Sequence, residues 1–239
     1  MLTGGFQLSN QAIRQTSAIQ KAPLGAVGVS RSGSVFRYAK AGAADLVIAN
    51  ALVAADPVAN HQSCAVVAAV AAGERVVQIT LGATASTLNQ YKDGFLTIED
   101  GTGEGYTYQI AGNTVGNASN IYVYLVDPIE LALDTTTEAS LDYNLYANVV
   151  ISAIDQADAP AGLAHKAVDT SEEPYFWAQT GGHATIWSDE VIAAGDALTT
   201  GTGTAGQLEM QDASGEPFWG HTIDTAIDGE FTLAWLMIN

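Results

Sequence analysis

The sequence predicts an all-β protein: a β-sandwich or barrel-like body with an extended N-terminal arm, and a smaller C-terminal β module that can also continue the main domain. Three observations lead there. Hydrophobic residues make up 48% of the 239 and charged residues only 14%, which gives a core but too little charge for a surface of helices. Short stretches alternate apolar and polar with a period of two. Twenty-four glycines punctuate these stretches as turns would.

Along the chain, residues 1–44 hold no sustained period. "NQAIRQTSAIQKA" can form a short helix with Ile13 and Ile19 on one side. "PLGAVGVSRSGSVFRYAKAGAAD" is broken by Pro23, Gly25, Gly28 and Gly33 and reads as an extended arm anchored by Val35, Phe36 and Tyr38. A β domain is expected over 45–160. "VVQITL" alternates as a half-buried strand does. Phe95 to Glu99 and Tyr106 to Ala111 form a hairpin about the glycine-rich Asp100 to Gly105. Ile121 to Val126 is apolar on both faces, which suits a central strand ended by Pro128. Ser140 to Ile154 is ambiguous between helix and strand, with strand preferred, and "QADAPAG" marks a joint near Pro160.

The C-terminal module is expected over 161–239. "PYFWAQTGGHATIW" carries aromatics up to a turn at Gly181-Gly182. "EVIAAGDALTT" and "GQLEMQD" read as short strands about a turn. "GEFTLAWLMIN" is a final strand with Phe231, Leu233, Trp235 and Met237 on one face and Thr232, Ala234, Leu236 and Ile238 on the other. A strand apolar on both faces belongs in a sandwich, a barrel or a subunit contact.

The net charge of −18 is unevenly placed. Residues 1–44 carry Arg14, Lys21, Arg31, Arg37 and Lys40 and no acid, while residues 45–239 carry all 26 acids against three bases. An acidic body repels phosphate backbones, so nucleic acid is not an expected partner. A basic arm beside acidic bodies predicts an interface made by Arg14, Lys21, Arg31, Val35, Phe36, Arg37, Tyr38 and Lys40 with a neighbouring copy or another acidic protein. A flexible tail without a fixed contact is the alternative.

Single Cys64 lies in the apolar run "CAVVAAVAA" and reads as a buried small hydrophobe, with no internal disulfide. The N-terminus shows no charged-then-apolar leader and no apolar run spans a bilayer, so a soluble protein made in a cytosol is expected, and the Asn117-Ala118-Ser119 sequon carries little meaning. Catalytic patterns are weak. "GVSRSG" misses G-x-S-x-G at Ser32. His61, His165, His183 and His221 are scattered without ligand spacing. "EDGTGEG" is explained by a hairpin turn without an ion. A carbohydrate site would place carboxylates beside some of Trp177, Trp187, Trp219 and Trp235 in a cleft, whereas core packing is the simpler use of these aromatics. No catalytic residue, metal or cofactor is expected.

The blocks "SGSVFRYAKAGAADL" (Ser32 to Leu46), "PYFWAQTGG" (Pro174 to Gly182), "AGDAL" (Ala194 to Leu198) and "GHTIDTAIDGEFTLAWLMIN" (Gly220 to Asn239) cover about a third of the chain. In these blocks it resembles capsid decoration, or cement, proteins of tailed bacteriophages of aquatic type. The resemblance implies a virion protein made in the host cytoplasm and carried on the capsid exterior. It implies a homo-oligomer, a trimer, that clamps the major capsid protein at subunit junctions without catalysis. A tail or connector protein would share this composition. A carbohydrate-binding or hydrolysing β protein is a further alternative.

One string resists this picture. Gly201, Gly203 and Gly206 in "GTGTAG" have dinucleotide-loop spacing. A nucleotide loop must follow a parallel strand and open a helix, yet "GQLEMQDASGEP" follows, which is a short strand and another turn. The stretch reads as a tight or mobile turn between two short strands.

Overall fold

The structure is a computed structural model and describes residues 5–116, 120–156 and 158–238, so the sequon lies outside the described residues. It is all-β. The described residues form seventeen strands and two short 3-10 turns, at Ala12–Arg14 and Ala59–His61, with no α-helix among them. Among the described residues no helix is long and apolar enough to cross a membrane.

The chain divides into two units. One unit comprises Met1–Ala55 and Leu145–Asn239, and the other is Asp56–Asn144, inserted between those segments. This differs from the expected boundaries at 44 and 160. Pro160 is no joint: it begins a strand that pairs with one from before the insertion. Such pairing is physically easy to miss, because the entropy cost of closing a loop grows only slowly with its length.

The first unit starts with β1 (Phe6–Leu8), β2 (Val27–Ser30), β3 (Val35–Lys40) and β4 (Ala51–Val53). The inserted unit contributes β5 (Cys64–Ala65), β6 (Val76–Thr80), β7 (Phe95–Asp100), β8 (Thr107–Asn113), β9 (Asn120–Leu125) and β10 (Glu138–Asp142). The chain then returns through β11 (Val150–Ile151), β12 (Pro160–Ala164), β13 (Tyr175–Trp187), β14 (Ala197–Thr200), β15 (Leu208–Met210), β16 (Gly220–Thr222) and β17 (Phe231–Met237).

The inserted unit is one six-stranded sheet in the order β5-β10-β7-β8-β9-β6. Val66, just past β5, bridges Ile79 of β6 and brings the two ends of that order together. Val77, Ile79, Leu96, Ile98, Tyr108, Ile110, Ile121 and Val123 fill its core. The expected β7–β8 hairpin is present. β9 is an internal strand, but only one face of it is buried: Tyr122 and Tyr124 are exposed. Cys64 is buried and unpaired, and burial raises its thiol pKa. Buried Tyr91 is hydrogen-bonded to His61 Nδ1, while His61 Nε2 is 2.9 Å from the Thr84 carbonyl. Burial drives the Tyr91 phenol pKa far up. Ser140 to Ile154 divides between β10, a turn-rich connection and β11.

The first unit is an eleven-stranded sheet whose main path is β1-β2-β3-β13-β17-β16-β14-β15, with β12, β4 and β11 joined off it. β13 is its spine. Its first half lies between β3 and β12, and its second half pairs with β17. The expected turn at Gly181-Gly182 is continuous strand inside this 13-residue element, just past an irregularity in its pairing with β3 between Gln179 and Gly181. Gly182 has φ +82°, and a Cβ there would stand 2.9 Å from the Ser34 Cα, so only glycine fits. The strand runs on through the glycine pair, which stands opposite Met237 and Leu236 of β17.

Candidate functional site

The basic N-terminal segment does not form a free arm in this structure. β1 pairs in parallel with β2, β2 pairs with β3, and β3 lies along β13. Phe36 and Tyr38, two of the expected anchors, are 1% and 4% exposed, so their rings pack within the chain and are not presented to a neighbouring copy. Ile13 is buried in a single 3-10 turn and Ile19 is exposed, so the two do not share a helix face. Val35 is half-buried opposite Gly181. Arg37 is half-buried, donates from Nη1 to the Gly25 carbonyl at 3.2 Å, and lies 5.8 Å from the Tyr146 ring. Lys40 is half-buried at the end of β3, opposite Tyr175. Arg14, Lys21 and Arg31 are exposed. The aromatic members therefore serve folding, and only the exposed cations are available to a partner. Removing residues 1–44 is expected to unfold this unit instead of releasing an intact body. Circular dichroism and thermal melting of the truncated chain check this.

A different surface stands out. β13, β16 and β17 contain no Asp, Glu, Lys or Arg, in a chain with 26 acids. β17 lies between the other two. Its inward residues Ala234 and Leu236 are fully buried. Its outward residues Phe231, Leu233, Trp235 and Met237 are 56%, 38%, 44% and 52% exposed. In an antiparallel pair, directly opposed residues share a face. The register therefore sets Trp187, Thr185 and His183 beside Phe231, Leu233 and Trp235, and places His221 on the other side of Trp235. The His183 ring meets Trp235 edge-on at 4.7 Å, and Trp187 lies 6.1 Å from Phe231. Phe218 meets His221 at 5.2 Å, and the Ile223 N–H donates to the Leu233 carbonyl, so two more exposed apolar residues flank the stripe.

At about 200 Å² per large side chain, these residues leave roughly 500 Å² of apolar surface in contact with water. A standard protein interface covers about 800 Å² on each partner. The sequence showed the two apolar faces of β17 but not which one lies open.

The GTGTAG loop joins β14 to β15, so it is the turn between two short strands that the sequence indicates. Three of its backbone donors are engaged by carboxylates of the chain itself. Gly203 N and Thr204 N donate to Asp189 Oδ2 at 2.6 and 3.2 Å, and Thr202 N donates to Glu209 Oε2 at 2.9 Å. The chain's own carboxylates hold the place that a phosphate would take. Gly201 and Gly203 are small because a Cβ would come within 2.8 and 3.0 Å of the Asp189 carboxylate, whereas Gly206 supplies the positive φ of +84°. The loop is thus pinned, which a reading from glycine content alone missed. Asp189→Ala is expected to cost about 1–3 kcal/mol and to speed amide exchange at Gly203 and Thr204 selectively, as hydrogen-exchange NMR would show.

Among the described residues no group of three or more His, Cys, Asp or Glu is arranged to hold a metal ion. In the glycine-rich 99–105 hairpin loop, Glu99 accepts from Ser63 and Asp100 from the Gly101 N–H. Of the four tryptophans, Trp219 is fully buried, Trp177 and Trp187 are half-buried and Trp235 is exposed on the apolar face.

No family model matches the chain, and no curated protein matches it. Among solved structures it is similar to the N base of the head fiber gp8.5 of bacteriophage phi29, with 14% identity, a TM-score of 0.28, and coverage of 68% of this chain and 94% of that one. That superposition is too loose to carry fold or function from one chain to the other.

Proposed function

We propose that this chain is a virion structural protein that works by assembly: it decorates and cements the exterior of a capsid shell, as a homo-oligomer, a trimer, seated at junctions of the major capsid protein. The observation that carries the assembly part is the charge-free apolar face of β13, β16 and β17. Between chains of net charge −18, a contact must avoid bringing carboxylates together, and these three strands contain none. The virion part is supported by the four sequence blocks that resemble phage decoration proteins. On this reading the acidic remainder keeps particles mutually repelling and soluble. Exposed Arg14, Lys21 and Arg31 are left to steer the chain toward acidic surfaces. The role requires no catalysis, cofactor, nucleic acid or membrane.

Adding the purified chain to shells that lack it, followed by electron microscopy, tests the proposal. The expected result is extra density at threefold junctions on the outer surface. Density confined to the tail or connector, or no retention on shells after sedimentation, overturns it.

A further inference from the structure

A second feature, within the first unit, lies away from the apolar face. Four aromatic rings gather at the start of β13: Phe6 to Trp177 at 5.8 Å, Tyr38 to Trp177 at 5.1 Å and Tyr38 to Tyr175 at 6.2 Å. The segment from Ala12 to Ala22 passes beside them and is tied down at three points. Ser17 and Tyr175 exchange two backbone hydrogen bonds, of 2.9 and 3.1 Å. Thr16 Oγ1 donates to Glu173, and the Lys21 N–H donates to the Tyr38 hydroxyl at 3.0 Å. The residues of the segment that line the space beside the rings include the small Ala12, Ser17 and Ala22. A half-open pocket of about 180 Å³ remains between them. A cavity of about 150 Å³ already holds a benzene ring.

The lining defines the occupant. Lys21 is its only charged residue, so a cation would meet a like charge and no lining carboxylate. An anion would face the negative faces of the aromatic rings and the field of a chain of net charge −18. A neutral occupant needs no counter-charge from this lining and avoids the Lys21 ammonium as a like charge. The rings offer apolar faces, while Gln15, Lys21 and the Tyr38 hydroxyl offer polar groups around them. We infer that this pocket binds a neutral sugar ring, with one apolar face of the pyranose against the aromatics and its hydroxyls toward Gln15, Lys21 and Tyr38. No carboxylate pair lines the pocket, so the site binds a glycan without cleaving it. The inference does not rest on the assembly reading: the pocket residues of β13 precede its glycine pair and the stripe residues follow it.

The test is a ligand-observed NMR titration of the full chain with the methyl glycosides of glucose, galactose, mannose and N-acetylglucosamine. Saturable binding of at least one glycoside is expected. Tyr175→Ala, which removes a wall, should weaken it at least about tenfold. Ala22→Phe, which fills the void without removing a core group, should abolish it while the melting temperature is held. Absence of saturable binding by all four glycosides, or undiminished binding to a folded Ala22→Phe chain, overturns the inference.

Discussion

Leu233→Glu is expected to leave the chain folded and to turn its assembly into monomers. Leu233 sits at the centre of the exposed stripe, between Thr185 and Ile223, and is 38% exposed in the single chain. A carboxylate there remains in water while the chain is alone, so the monomer tolerates it. In an assembled contact the same carboxylate is buried against apolar neighbours without a Lys or Arg on β13, β16 or β17 to pair with. Central interface residues commonly contribute about 2 kcal/mol or more, so self-association should weaken at least about 30-fold. Sedimentation velocity measures the outcome, with circular dichroism as the control for folding. A wild-type chain that stays monomeric at high concentration removes self-association from the proposal. Shell binding that persists in that case would leave the face as the contact to the shell.

Trp219→Ala should have the largest effect on stability. Trp219 is fully buried among Leu198, Leu208, Ile186, Ala226 and Leu236. Its indole N–H donates to Thr200 Oγ1 at 3.1 Å, and its backbone N–H donates to the Leu198 carbonyl at 2.9 Å. Truncation loses the buried ring, leaves a cavity and strips a buried hydroxyl of its donor. About 3–5 kcal/mol of unfolding free energy should be lost. Denaturant unfolding followed by fluorescence checks this, and a loss below 1 kcal/mol would show that the site collapses around the gap. Trp219→Phe should recover much of the packing but not the hydrogen bond to Thr200, which separates the two contributions.

Much of the local structure was legible. Alternation located β6, the β7–β8 hairpin, β14, β15 and β17 because a period of two is a property of the strand itself. The C-terminal pattern even identified the members of each face of β17. That a short strand and not a helix follows the GTGTAG loop was also legible, because it is a local fact. Other features required distant partners. Gly181-Gly182 looks like a turn in isolation and is continuous strand because β3 pairs up to Gly181 and β17 pairs from Gly181 onward. The basic segment looks like an arm because its glycines and lack of period say nothing about the strand waiting for it in β13. The aromatic pocket joins residues 6–38 to residues 175–177, a proximity that no local signal announces.

By itself, then, the sequence determined the all-β class, the acidic body and the two apolar faces of the last strand. These follow from composition and from the geometry of a strand. Tertiary structure decided that residues 56–144 are an insertion, that Phe36 and Tyr38 belong to the chain's own core, and that the Phe231 to Met237 stripe is the face left open. Each depends on which strand lies alongside which. Backbone hydrogen bonds are the same for every pairing, so the choice is made by the fit of side chains far apart in the chain.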